Sequence, residues 1–120
     1  MDSAARRIER TGLAAEYLLR ERSAEEKSEF VEGRVVSMAG ASFRNNTIVG
    51  NTLEGVRQAL RTAGCQAVAA DQRVQIEGRN GASFVYPDVV AVCEEPRFLE
   101  DTVLDALVNT ALVIEVLSDT

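Results

Sequence analysis

Apolar positions along the chain follow two periods, and each period marks its own elements. Leu13, Ala14, Tyr17 and Leu18 recur at helical spacing after a candidate cap at Thr11, which predicts a helix to about Arg22. Ile48, Val49, Thr52, Leu53, Val56, Ala59, Leu60 and Ala63 form a second and longer stripe. Asn45 or Asn46 can cap it, and Gly64 is placed to stop it. Gly50 and Gly55 inside this helix each cost about 1 kcal/mol relative to Ala, and close packing against a sheet would account for them. Between the helices, Phe30-Val31 and Val35-Val36 flank Glu32-Gly33. That pattern predicts a tight hairpin with Gly33 at positive φ, a second strand to about Met38 and a small-residue turn over Ala39–Ser42.

Beyond Gly64 the period becomes that of strands. Gln66–Glu77 alternates around Val74 and Ile76, and Gly78-Arg79-Asn80-Gly81 is a loop. Phe84–Cys93 returns as the antiparallel partner. Glu94–Asp101 is a charged loop around Pro96, and Thr102–Asn109 reads as a short helix or an extended loop. Ala111–Leu117 is a last strand, almost wholly apolar. The order helix, hairpin, helix, hairpin, strand predicts an α/β (α+β) fold, with a mixed sheet of about five strands flanked by helices. Residues 1–12 read as a flexible leader and residues 13–120 as a single domain.

Two of these strands carry an acid in an otherwise apolar run. Asp88 sits in Val85-Tyr86-Pro87-Asp88-Val89-Val90-Ala91-Val92, and Glu115 sits in Leu112-Val113-Ile114-Glu115-Val116-Leu117. Runs apolar on both faces belong to central strands, where an ionised carboxylate is costly unless paired or bound to metal. Pro87 removes a ladder donor and predicts a strand start or bulge just before Asp88. Two acids on adjacent strands could hold one divalent cation, Mg²⁺ or Mn²⁺, which would activate water and stabilise charge on a phosphodiester. The alternative pairs each acid with a structural arginine such as Arg73.

Composition narrows the chemistry. The chain has 120 residues, 46% hydrophobic and 27% charged, which suits one globular domain. Aromatics are 5% and Trp is absent, so the core is expected to be Val, Leu, Ile and Ala. The net charge of -6 argues against a simple phosphate-binding module, though not against a nuclease whose carboxylates reach phosphate through a cation. Histidine is absent, which removes a His-based zinc site and a Ser-His-Asp triad. Cys65 and Cys93 fit neither a metal motif nor a redox pair and are read as reduced thiols. Ser42 and Ser118 are read as turn and cap formers. The N-terminus is no secretory signal and no apolar run spans a bilayer, so no membrane partner is expected and the default location is cytoplasmic.

Several segments, taken in order, resemble a known family. They are Ala15-Glu16-Tyr17-Leu18, Lys27–Val36, Met38–Ser42, Asn46–Asn51, Asp71–Val74, Tyr86–Val90 and Ile114–Ser118. Together they resemble the Uma-two family of bacterial restriction endonucleases, in the PD-(D/E)XK nuclease superfamily, over roughly residues 13 to 120. The resemblance implies a restriction-endonuclease-like fold and a Mg²⁺-dependent nuclease ancestry, with DNA as substrate. It makes Pro87-Asp88 the PD pair, Asp88 a metal ligand and Glu115 the second acid. Glu29 matches an acid ahead of the hairpin turn that completes or neighbours the site, or else is a solvated strand-edge acid.

The chain departs from that pattern in three places. The lysine expected two residues beyond Glu115 is Leu117, and Lys27 is the only lysine in the sequence. A substitute must be Lys27, an arginine such as Arg73, or a residue beyond Thr120, where the family's C-terminal strands and helix are missing. The histidine common near Asn45 is also absent. Loss of such an electrostatic group costs on the order of 10²–10³ in rate. Two functions therefore stand: a Mg²⁺-dependent endonuclease domain, or a non-catalytic copy serving as an oligomerisation module, with a homodimer expected.

Overall fold

The structure is a computed structural model that describes residues 13–38, 40–99 and 106–117. The leader, the Thr11 cap, Ser118 and the first part of Thr102–Asn109 lie outside the described residues. Helix α1 covers residues 13–21, as its spacing predicts. Tyr17 and Glu21, one turn apart on the same face, are both buried. Strands β1 (Ser28–Val31) and β2 (Arg34–Ser37) form the expected hairpin. Its turn has positive φ at both Glu32 (48°) and Gly33 (82°), the primed geometry that matches strand twist.

Helix α2 runs from Phe43 to Leu60. It starts earlier than Asn45 or Asn46 would allow, because the Ser42 hydroxyl accepts from the Asn45 N–H at 3.1 Å and caps it. One 3₁₀ turn, Arg61–Ala63, follows, and Gly64 at φ 75° ends it as predicted. Val49, Thr52, Leu53, Val56 and Leu60 are the half-buried stripe, and the helix packs on β3. Gly50 and Gly55 do not serve close packing, since a Cβ at either would meet nothing within 4 Å.

The two long strands expected after Gly64 are each divided in two. The first becomes β3 (Gln66–Ala69) and β4 (Val74–Gly78), and the second becomes β5 (Gly81–Val85) and β6 (Val89–Val92). They still pair as one bent hairpin, β4 with β5 and β3 with β6. At the bend, residues 70–73 on one arm face only residues 86–88 on the other. That extra residue is a bulge, and Ala70 takes it up at φ 58°. Pro87 lies in the bend, as its missing N–H predicts.

The bend sends the arms into different sheets. One sheet has the order β2-β1-β5-β4 and the other β3-β6-β7, where β7 is Leu112–Ile114. Every ladder between named strands is antiparallel. The α+β class holds, with seven strands in two sheets among the described residues. The described part of Thr102–Asn109 is extended: Leu107 bridges both Val74 and Phe98.

Two buried clusters hold the layers. Tyr17, Phe30 and Phe84 pack α1 onto the first sheet with ring centroids 5.4–6.3 Å apart. The core is therefore not purely aliphatic: the few aromatics are concentrated in one place. Val74, Val90, Val92 and Leu107 join the two sheets.

Cys65 and Cys93 are not free thiols. They form a disulfide across a sequence separation of 28. The cause is register: Gln66 pairs with Val92, so Cys65 and Cys93 are the next opposed positions. Closing a loop of that size stabilises a fold by about 3 kcal/mol. Reductant is expected to lower the melting temperature by about 10 °C, and Cys65→Ser to produce the same drop with no further response to reductant. Thermal denaturation with and without dithiothreitol checks this; equal curves would contradict it.

Candidate functional site

The site forms where β6 begins. β6 is the central strand of its sheet and is buried along its whole length. Asp88 immediately precedes it and is half-buried. β7 pairs with β6 with Val89 opposite Ile114, so the next opposed pair is Asp88 and Glu115. The Val116 N–H donates to Asp88 Oδ2 at 2.6 Å and fixes that carboxylate at the ladder end. Glu29, on β1, reaches the same region: its Oε2 accepts from the Tyr86 N–H at 2.8 Å.

The second acid is less enclosed than its apolar run predicts. Among the described residues β7 pairs only with β6, so it is an edge strand, and Glu115 just past its end is exposed. Even so, partial desolvation and then the negative charges of Asp88 and Glu29 push the Glu115 carboxyl above its ordinary pKa. Both charges named as acting on it are negative.

Arg73 does not neutralise this pair. It is buried, and its Nε and Nη2 donate to the Tyr86 hydroxyl at 3.1 and 2.6 Å. That hydroxyl donates to Glu21 Oε2 at 2.7 Å, and Glu21 also accepts from the Ser28 N–H and hydroxyl. Burial, then the hydrogen bond to Glu21, raises the Tyr86 pKa, so its hydroxyl stays protonated at neutral pH. The structural arginine thus serves Glu21, an acid that the sequence did not single out. The available signal was its spacing of four from Tyr17 on the apolar face of α1.

Asp88 lines a cavity of about 560 Å³ with Lys27, Asn45, Asn46, Ala70 and Tyr86 among its other walls. The Ala70 N–H donates to the Asp88 carbonyl at 3.0 Å, so the bulge holds the residue from the side opposite Glu115. For a cation, the ladder end offers two opposed carboxylates, Asp88 and Glu115. Among the described residues no group of three or more His, Cys, Asp or Glu side chains is arranged to hold a metal ion. The two opposed carboxylates offer hard oxygen donors, the kind an ion of the Mg²⁺ class takes together with water.

The raised Glu115 pKa sets a pH dependence. The folded chain binds this proton more tightly than the unfolded chain does. The associated stability is present below the ordinary carboxylate pKa and is lost as pH rises through the raised value. Glu115→Gln, in chelator, is therefore expected to melt about 1–3 °C above wild type at neutral pH, a shift kept small by solvent screening. At pH 4 the two curves should converge. A gap that does not change with pH would contradict the cause given.

An α+β domain with opposed acids at a bulged strand end is the arrangement expected of a restriction-endonuclease-like fold. The chain belongs to the Uma2 family, described as "Putative restriction endonuclease", whose model matches residues 14–120. It is also 37% identical over 105 residues to the uncharacterized protein sll1609 of Synechocystis sp. (strain PCC 6803), covering 88% of this chain and 58% of that relative. The chain thus spans little more than half the relative's length. No solved structure matches it. No helix among the described residues is long and apolar enough to cross a membrane.

Proposed function

We propose that the chain is the catalytic domain of an endonuclease that hydrolyses DNA phosphodiester bonds with Mg²⁺ or Mn²⁺. The observation that carries this reading is the opposed pair Asp88 and Glu115: Glu115 meets the negative charges of Asp88 and Glu29, and Asp88 lines a cavity. Like charges opposed across a ladder destabilise it, and a hard cation offsets that cost. Asp88 and Glu115 would hold the ion, and Glu29 is the third acid of the site. The ion, when bound, supplies an activated water and charge neutralisation at the phosphorus.

The chain's own residues prepare that chemistry. Asp88 has one oxygen fixed by the Val116 amide, which sets the orientation of its carboxylate at the ladder end. Glu115 holds a proton more readily than usual when no ion is present and releases it when one binds. Glu29 clamps the Tyr86 amide and so holds the strand bend that presents Asp88. A supercoiled-plasmid assay tests the reading. Nicking that needs Mg²⁺ or Mn²⁺ and stops in chelator is expected; no cleavage with either ion counts against it.

A second reading, an interaction module that pairs with another copy, draws on the apolar residues exposed along and beyond β7, Leu112, Val113 and Leu117. A monodisperse monomer in sedimentation, together with metal-stimulated cleavage, would exclude it.

A further inference from the structure

We propose that Lys27 is the positive group of this site and contacts a phosphate oxygen of the bound nucleic acid, an assignment that rests on the endonuclease reading above. Lys27 is the only lysine among 120 residues of net charge -6. Its backbone belongs to the first sheet, where its carbonyl accepts from the Met38 N–H beyond the β1–β2 ladder. Its side chain crosses to the second sheet. Nζ donates to the Ala70 carbonyl at 3.0 Å and to Asp71 Oδ1 at 2.9 Å, and lies 5.1 Å from the centre of the Tyr86 ring.

The anchor is specific. Ala70 is the left-handed residue of the bulge, and its N–H holds the Asp88 carbonyl while its own carbonyl holds Lys27. One residue therefore fixes both the ammonium and the first acid, and a non-glycine at positive φ is an unfavourable conformation kept where geometry requires it. Lys27 and Asp88 line the same cavity.

A purely structural tie between the sheets would use the same two bonds. An ammonium has three donors, however, and these contacts occupy two, leaving one for a ligand in the cavity. Asp71 is mostly exposed, with 87% of its side chain accessible, so this ion pair is screened and leaves Lys27 much of its charge. A phosphodiester entering a cavity lined by Asp88 and Glu26, with Glu115 opposed to Asp88, needs a counter-charge. Arg73, the buried arginine nearby, is committed to Tyr86.

The test uses the full chain, Ca²⁺ in place of Mg²⁺ to prevent cleavage, and a fluorescein-labelled DNA duplex followed by anisotropy across a salt series. Lys27→Met is expected to weaken binding about 10-fold at low salt and to flatten the plot of log affinity against log salt by about 0.9, one phosphate contact. Lys27→Arg should keep the slope, and Mn²⁺ affinity should be the same in all three proteins. A folding defect would lower Mn²⁺ affinity and would not remove one unit of salt slope.

Because the chain has one lysine, reductive ¹³C-methylation also gives a single lysine resonance in the unsubstituted protein. It is expected to shift when the duplex is added. An unchanged salt slope in Lys27→Met, or an unmoved resonance, with wild-type DNA binding intact, overturns the assignment alone. Failure of the wild type to bind both Mn²⁺ and DNA overturns the endonuclease reading and the assignment with it.

Discussion

Asp88→Asn is expected to lower metal-dependent plasmid cleavage by on the order of 10²–10³ while leaving the fold intact. The two halves of that outcome have separate causes. An amide oxygen can still accept from the Val116 N–H, so the contact that ties β6 to the segment after β7 survives. Removing the negative charge relieves the repulsion on Glu115, so in chelator the variant should melt no lower than wild type. What is lost is the charged oxygen that a hard cation requires. Initial cleavage rates in Mg²⁺, read beside thermal melts in chelator, separate the two. A variant that cleaves as well as wild type would remove Asp88 from the site.

Arg73→Met should do the opposite: damage the fold first. Arg73, Tyr86 and Glu21 are all buried, and the Tyr86 hydroxyl links the other two. Without the guanidinium, Glu21 keeps its three hydrogen bonds but no compensating charge. Leaving a buried carboxylate uncompensated costs about 3–5 kcal/mol, which lowers the melting temperature by more than about 10 °C. Tyr86→Phe removes one hydroxyl and should cost less, about 1–3 kcal/mol. The double variant Glu21→Gln/Arg73→Met should recover much of the loss, because the two side chains belong to one network. Urea denaturation of wild type, Glu21→Gln, Arg73→Met and the double variant checks the cycle, and strictly additive losses would contradict a shared network.

Much of this framework was legible in the sequence because the signals were local. Glu32-Gly33 specified its turn, Gly64 ended α2, and Pro87 marked the bend before Asp88. The proximity of the two acids followed from placing both on neighbouring strands. What escaped depended on register. The disulfide needs Cys65 and Cys93 to be opposed, and that follows only from the β3–β6 pairing on one side of the bulge; across the β4–β5 register they would be offset by one. The same bulge divided the two strands and made two sheets of one. The exposure of Glu115 was hidden because an apolar run reads as a central strand whether or not both of its edges are paired. Glu21 was missed because a charged residue at a helix end usually faces water. Lys27 was named as one of several candidate substitutes for the family's lysine, with nothing in the sequence to place it beside Asp88. Its position depends on the left-handed Ala70, which no residue preference announces.

The central claim is that Asp88 and Glu115 together hold one divalent cation. Calorimetric titration of Mn²⁺ into wild type and into Asp88→Ala, in two buffers of different ionisation enthalpy, tests it most directly. The account predicts one site in wild type, no binding in Asp88→Ala, and a buffer-dependent heat from the proton that Glu115 gives up. Equal binding by the two proteins, or none by either, would contradict it.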